Sequence, residues 1–121
     1  MTKLVRDNIF PKDTDPKILR PASTEAEFKT YVLLKLMEEA EEVYTAGVRH
    51  RFHKTIETNE LRGELGDLLD VVDLICETFQ IPMFDVIASR ILKNQARGGF
   101  KKRLIWSGGP SDPPSLKYRI E

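Results

Sequence analysis

The chain has a single cysteine, Cys76, set inside an apolar helical pattern, which excludes a disulfide framework and a cysteine-rich zinc site. It has no net charge, because nineteen Lys and Arg balance nineteen Asp and Glu. That balance argues against a globally basic nucleic-acid binder and against an acidic-tail protein. No apolar run is long enough to span a bilayer, so no membrane partner is expected. The opening MTKLVRDNIF is charged at once, with no apolar stretch before a small-residue cleavage site. No secretion signal is visible there, and a cytoplasmic protein is expected. Internal repeats and low-complexity tracts are missing too. What remains, 121 residues with 40% apolar and 31% charged, is one ordinary globular domain, too short for two independent cores.

The neutral total hides a segregation. Residues 25–85 hold fourteen acids against six bases, a net of −8, and residues 86–121 hold eight bases against two acids, a net of +6. The first twenty-four residues contribute +2. Such halves can simply pair with each other, or they can build a site for a ligand that needs both signs, such as a metal-bound polyphosphate.

Hydrophobic periodicity predicts three helices. Residues 1–10 read as an extended or short helical arm, and the proline-rich stretch 11–23 as a loop. A first helix is expected from Glu25 to Ala46, opened by Thr24 and Glu27 as a capping box and stopped by Gly47. Its apolar face comprises Val32, Leu33, Leu36, Met37, Ala40, Val43 and Tyr44. A second is expected from Glu57 or Glu60 to Gln80, with Leu61, Leu65, Leu68, Leu69, Val72, Ile75 and Phe79 on its stripe. A third begins at Pro82, buries Met83, Phe84, Ile87 and Ile91, and ends near Arg97 at Gly98-Gly99. Trp106 is expected to cover the core. Residues 1–106 thus read as one helical domain, and 107–121 as a linker and short tail. Phe28, Tyr31 and Leu34 lie outside the main face of the first helix. That excess predicts burial against a second copy, in an all-α homodimer of the four-helix-bundle type or a homotetramer.

The chemistry concentrates in carboxylates. Glu39 and Glu42 lie one turn apart on the border of the first apolar face, with Glu38 beside them, and Glu64 and Asp67 repeat the spacing on the second helix. Two antiparallel helices would bring these four acids to one spot. Unpaired, they would repel one another until some took up protons. A hard divalent cation resolves the conflict, since Mg²⁺ takes oxygen ligands and leaves positions for water and substrate phosphate; Mn²⁺ suits the same donors. The plainer alternative is that acids beside an apolar stripe form its solvated edge. Gly63 and Gly66, inside the second helix, each cost about 1 kcal/mol relative to Ala, which points to a close ligand or a closely packed helix. Asp70, Asp73 and Glu77 point further round and read as surface.

The pattern Glu38-Glu39-x-x-Glu42, twenty-one residues, then Glu64-Leu65-Gly66-Asp67 resembles the signature of the all-α nucleoside triphosphate pyrophosphohydrolases. That superfamily includes MazG-like enzymes, dimeric dUTPases and phosphoribosyl-ATP pyrophosphohydrolase. Lys3-Leu4-Val5-Arg6-Asp7 and Arg97-Gly98-Gly99-Phe100 are similar to a MazG-like branch. The resemblance implies that Glu39, Glu42, Glu64 and Asp67 ligate Mg²⁺. It implies that Glu38 is a further ligand or orients the attacking water, and that a nucleoside triphosphate is cleaved to the monophosphate and pyrophosphate. Lys3 and Arg6 become substrate-binding candidates by the same route, with Asp7 holding Arg6. On the third helix Arg90, Lys93 and Arg97 fall within about 60° of one another, with Asn94 adjoining. Lys93 and Arg97 match positions the family uses near the phosphates, where cations balance the departing pyrophosphate. Their alternative role is a solvated face complementing the helix dipole. His50 and His53 lack a third ligand and read as solvated. Tyr31 and Phe28 can stack on a base, although core or dimer packing is the default for aromatic side chains.

Two other functions stay open on sequence alone. One is phosphoribosyl-ATP hydrolysis, which shares the carboxylates. The other is a non-catalytic helical dimer that binds a partner through Arg90–Arg103.

Overall fold

The computed structural model describes residues 2–52 and 59–107; His53, the alternative helix start at Glu57 and the expected tail from 108 onward lie outside them. The described residues form three α-helices and no strand: α1 Glu25–Phe52, α2 Asn59–Thr78 and α3 Met83–Arg97. None of them is long and apolar enough to cross a membrane. The chain divides into two compact units, Met1–Met83 and Phe84–Glu121.

The first unit opens with the arm, which is extended rather than helical. The proline-rich stretch carries one 3-10 turn, Pro16–Ile18, where the Asp15 side chain accepts a hydrogen bond from the Lys17 N–H at 3.0 Å. α1 then starts at the expected capping residue. Thr24 Oγ1 accepts from the Glu27 N–H at 3.1 Å, and the Thr24 carbonyl accepts the Phe28 N–H at 3.0 Å. Glu27 reaches back one residue further than a standard capping box, taking the Ser23 N–H at 3.0 Å. The Arg20 guanidinium grips both Glu27 oxygens, at 2.7 and 3.1 Å, and ties the loop to the helix start.

α1 does not stop at Gly47. It runs on to Phe52 because Ala46 is buried and the last turns lie along α2. A methyl group at Gly47 would meet Leu61 Cδ1 at 3.8 Å, an ordinary contact, so packing outweighs the helix cost of glycine, about 1 kcal/mol. The two helices run antiparallel. Arg49 pairs with Glu60 at 2.5 Å near one end, and Lys29 lies over the Phe79 ring at 5.4 Å near the other.

Both helices are turned relative to the face their apolar residues predict. On α1 the buried line is Val32, Glu39 and Ala46, while Leu33 and Met37 are 45% and 68% exposed. At about 100° per residue this puts the centre of the buried face roughly 90° from that of the expected one, so Glu39 sits at its centre rather than its edge. On α2 Val71 is buried and Glu64 and Asp67 are half-buried, while Leu65 and Leu69 are exposed. Glu39 thus occupies the interior of the hairpin, with Glu64 and Asp67 part-buried and Glu42 exposed, and part of each apolar stripe faces out.

α2 closes in a Schellman motif. The Ile81 N–H donates to the Cys76 carbonyl at 2.8 Å and the Gln80 N–H to the Glu77 carbonyl at 3.3 Å, with Gln80 left-handed at φ 56°. In the second unit α3 ends as expected. Gly98 takes φ 78° and its N–H donates to the Asn94 carbonyl at 2.8 Å. The expected burial along α3 does not occur: Met83 is half-buried, while Phe84, Ile87 and Ile91 are exposed. Trp106 is exposed as well and covers no core. A helix with one apolar stripe needs an opposing surface to bury it.

Two outcomes test these local devices. The Arg20 hydrogen bonds, then the Ser23 N–H, hold the Glu27 carboxyl at about 2 instead of 4.5. The stabilisation from Glu27 is therefore complete above its ordinary value and is lost as pH falls through about 2. Carboxyl titration by NMR reads the depressed value directly, and Arg20→Ala returns it towards 4.5. At the other end, Gln80→Gly removes the left-handed penalty of a side chain and raises stability by about 0.5–1 kcal/mol in denaturant unfolding.

Candidate metal centre

The spacing of Glu39 and Glu42, and of Glu64 and Asp67, places each pair one turn apart on its helix. Antiparallel pairing of α1 and α2 then brings all four together. One carboxylate oxygen from each lies within 4.8 Å of the other three. Glu39 is 4% exposed, the one buried charged residue described. Two oxygens, Glu39 Oε2 and Glu64 Oε2, are buried and accept no hydrogen bond. Leaving such groups unpaired costs free energy. Burial, then the Glu42 carboxylate, pushes the Glu39 carboxyl above its ordinary range, and desolvation together with Glu64 does the same at Glu42. The four acids are held at close quarters against their own repulsion.

The donor set fits a hard cation. Oxygen ligands at about 2.1 Å from Mg²⁺ stand up to about 4.2 Å apart, a span comparable to the 4.8 Å within which the four oxygens lie. Two buried carboxylate oxygens without a hydrogen-bond partner, one on Glu39 and one on Glu64, are atoms that such an ion could satisfy. The centre adjoins a cleft of about 370 Å³ whose walls include Glu38, Glu42, Thr45, Arg49 and Glu64.

Glu38 has a different environment. Lys3 Nζ lies 2.9 Å from Glu38 Oε1 and Lys35 Nζ 3.4 Å from Oε2. Desolvation works to raise its pKa, but the two ammonium groups overcome it and hold Glu38 below its ordinary value. Glu38 therefore stays ionised and fixed beside the cluster. Lys35 also approaches Glu39 Oε1 at 3.7 Å with only 12% of its side chain exposed.

The arm reaches the same place. Arg6 Nη2 donates to Asp67 Oδ1 at 3.1 Å and Nη1 to Asp70 Oδ2 at 3.3 Å. The Asp70 hydrogen bond leads the effects that raise the Arg6 pKa further. Thus Asp67 and Asp70, rather than Asp7, hold Arg6 in place; Asp70 is exposed, as expected, and pairs with Arg6 from the surface. Lys3 and Arg6 both stand at the carboxylates. Lys93, Asn94 and Arg97 are exposed on α3, in the second unit. Gly63 and Gly66 meet nothing: a methyl group on either would find no atom within 4 Å. Among the described residues no helix packs closely on them, so the packed-helix alternative finds no contact here.

Lys35 and Asp70 were not singled out from sequence. Each carried a signal, since Lys35 precedes Glu38 and Glu39 by three and four positions and Asp70 follows Asp67 by three, the spacing at which helical side chains meet.

No family model matches the chain, and neither do the curated proteins or the solved structures with which it was compared. The chemistry of the site therefore rests on its geometry.

Glu39→Gln tests whether the cluster is under electrostatic load. Removing one buried charge from among like charges raises the thermal midpoint of the metal-free protein. An acid whose pKa is raised on folding costs stability once the pH exceeds its unfolded value, so the gain is larger at neutral pH than at pH 4. Calorimetry of the two proteins at both pH values measures it.

Proposed function

We propose that the protein is a Mg²⁺-dependent nucleoside triphosphate pyrophosphohydrolase that yields a nucleoside monophosphate and pyrophosphate. The observation that carries this reading is the convergence of Glu39, Glu42, Glu64 and Asp67, with two buried oxygens unpaired. The centre lies against the arm whose Lys-Leu-Val-Arg-Asp sequence supports the MazG-like resemblance.

Glu39, Glu42, Glu64 and Asp67 would hold Mg²⁺, or Mn²⁺ in its place. When bound, the ion polarises a phosphoryl oxygen and lowers the pKa of a coordinated water. Glu38, ionised and braced by Lys3 and Lys35, accepts a hydrogen bond from the attacking water and sets its direction. Lys3 and Arg6 lie close enough to exchange a carboxylate contact for a phosphate oxygen. By the MazG-like resemblance alone, Lys93, Asn94 and Arg97 of the second unit are the candidates for balancing the pyrophosphate leaving group.

The outward halves of the two stripes support a second copy. Leu33, Met37, Leu65 and Leu69 are exposed on one helical hairpin. Pairing two hairpins through these faces makes a four-helix bundle, with a homotetramer as the next level of assembly. Apolar area left in water costs about 25 cal/mol per Å², and association removes that cost.

The test couples turnover to binding. Mg²⁺ raises the melting temperature of the native protein, since a ligand that binds only the folded state stabilises it by about 2.7 kcal/mol at one hundred times its dissociation constant. Pyrophosphate is released from at least one nucleoside triphosphate when Mg²⁺ is present. Glu39→Gln and Asp67→Asn each abolish both effects while the helical circular dichroism is unchanged. Turnover that survives both substitutions excludes this centre, and activity confined to phosphoribosyl-ATP assigns the sister reaction.

A further inference from the structure

A second cavity of the first unit is lined by none of the four clustered carboxylates. Its volume is about 520 Å³, within the range of small-molecule sites. It is bounded by the arm, the proline-rich loop and the start of α1. Three aromatic side chains line it, Phe10, Phe28 and Tyr31, with Leu4, Ile18 and Leu19 completing much of the apolar surface. Its polar lining includes the Arg20–Glu27 pair, whose two groups already satisfy each other. An apolar chamber with aromatic faces and a few fixed polar atoms suits a flat heterocycle better than a sugar or an inorganic anion.

Two of its lining residues join it to the centre. Lys3 and Arg6 border the cavity, yet their charged ends lie on Glu38 at 2.9 Å and on Asp67 at 3.1 Å. One side chain therefore separates the chamber from the carboxylates at two points, and both are cations. A ligand with an aromatic ring in the chamber and a phosphate chain leaving it would pass these two charges and arrive at the acids.

We propose that this cavity seats the nucleobase, with Phe28 and Tyr31 as its stacking faces, so that the substrate is a nucleotide and not an inorganic polyphosphate. The inference rests on the pyrophosphohydrolase reading for its phosphate end, but the seat itself is a property of the arm, loop and α1. It also explains why the arm crosses here: Lys3 and Arg6 close the wall between ring and phosphates, and they register one against the other.

The test uses metal-free protein and the four 2′-deoxynucleoside monophosphates as probes, read by NMR of the aromatic side chains. At least one probe shifts the Tyr31 and Phe28 ring signals saturably, while inorganic pyrophosphate leaves them unmoved. Tyr31→Leu weakens that binding by roughly tenfold, the loss expected of one stacking face. Phe10→Leu, in the extended arm where no helix depends on it, also weakens it. Ring signals that ignore all four probes, that respond equally to pyrophosphate, or that persist with unchanged affinity in both variants overturn the proposal. Mg²⁺-dependent pyrophosphate release is assayed separately. Release without ring shifts removes the cavity seat alone, whereas ring shifts without release remove the catalytic reading and leave a nucleotide-binding chamber.

Discussion

Four carboxylates are forced to share one small volume between two helices, and the rest of the first unit is arranged around that constraint. Hydrophobic burial would turn Leu33, Met37, Leu65 and Leu69 inward; instead the inner positions go to Glu39, Glu64 and Asp67. A protein folding for stability alone does not choose this, because like charges at close range raise each other's energy and burial amplifies the effect. The cost is met partly by Lys35, Lys3 and Arg6, which place three cations against the rim of the cluster. Two oxygens, one on Glu39 and one on Glu64, stay buried without a hydrogen-bond partner.

The arm shows how a segment without regular structure is held in place by charge. Its fixed points are the pairs from Lys3 to Glu38 and from Arg6 to Asp67 and Asp70, sixty or so residues apart in sequence for the latter. The loop behind it is anchored by Arg20 on Glu27 at the start of α1. Acidic helices and basic flanking segments thus interlock locally, one resolution of the charge segregation along the chain.

Much of this was legible in the sequence, for identifiable reasons. Helix periodicity survives any rotation of the helix, so all three helices and the Thr24 cap could be read from residue types alone. The convergence of Glu39, Glu42, Glu64 and Asp67 followed from i, i+3 spacing and an antiparallel pairing. The rotation of α1 and α2 was not legible, because a stripe of leucines looks the same whether it faces its own hairpin or another surface. Gly47 misled for a related reason: intrinsic propensity marks it as a stop, whereas contact with α2 decides the matter. The roles of Lys35 and Asp70 required knowing which helix face is inside. Asp7 as the partner of Arg6 was the nearest acid in sequence, but Asp67 and Asp70 are the nearest in space.

The end of α2 has a practical consequence. Cys76 is the only cysteine of the chain, is 8% exposed, and its carbonyl receives the Ile81 N–H that closes the helix. The thiol becomes reachable only when these final turns open, so its rate of alkylation reports the free energy of that opening. The native molecule therefore carries a built-in chemical clock for the breathing of one helix, readable by mass spectrometry without introducing any label.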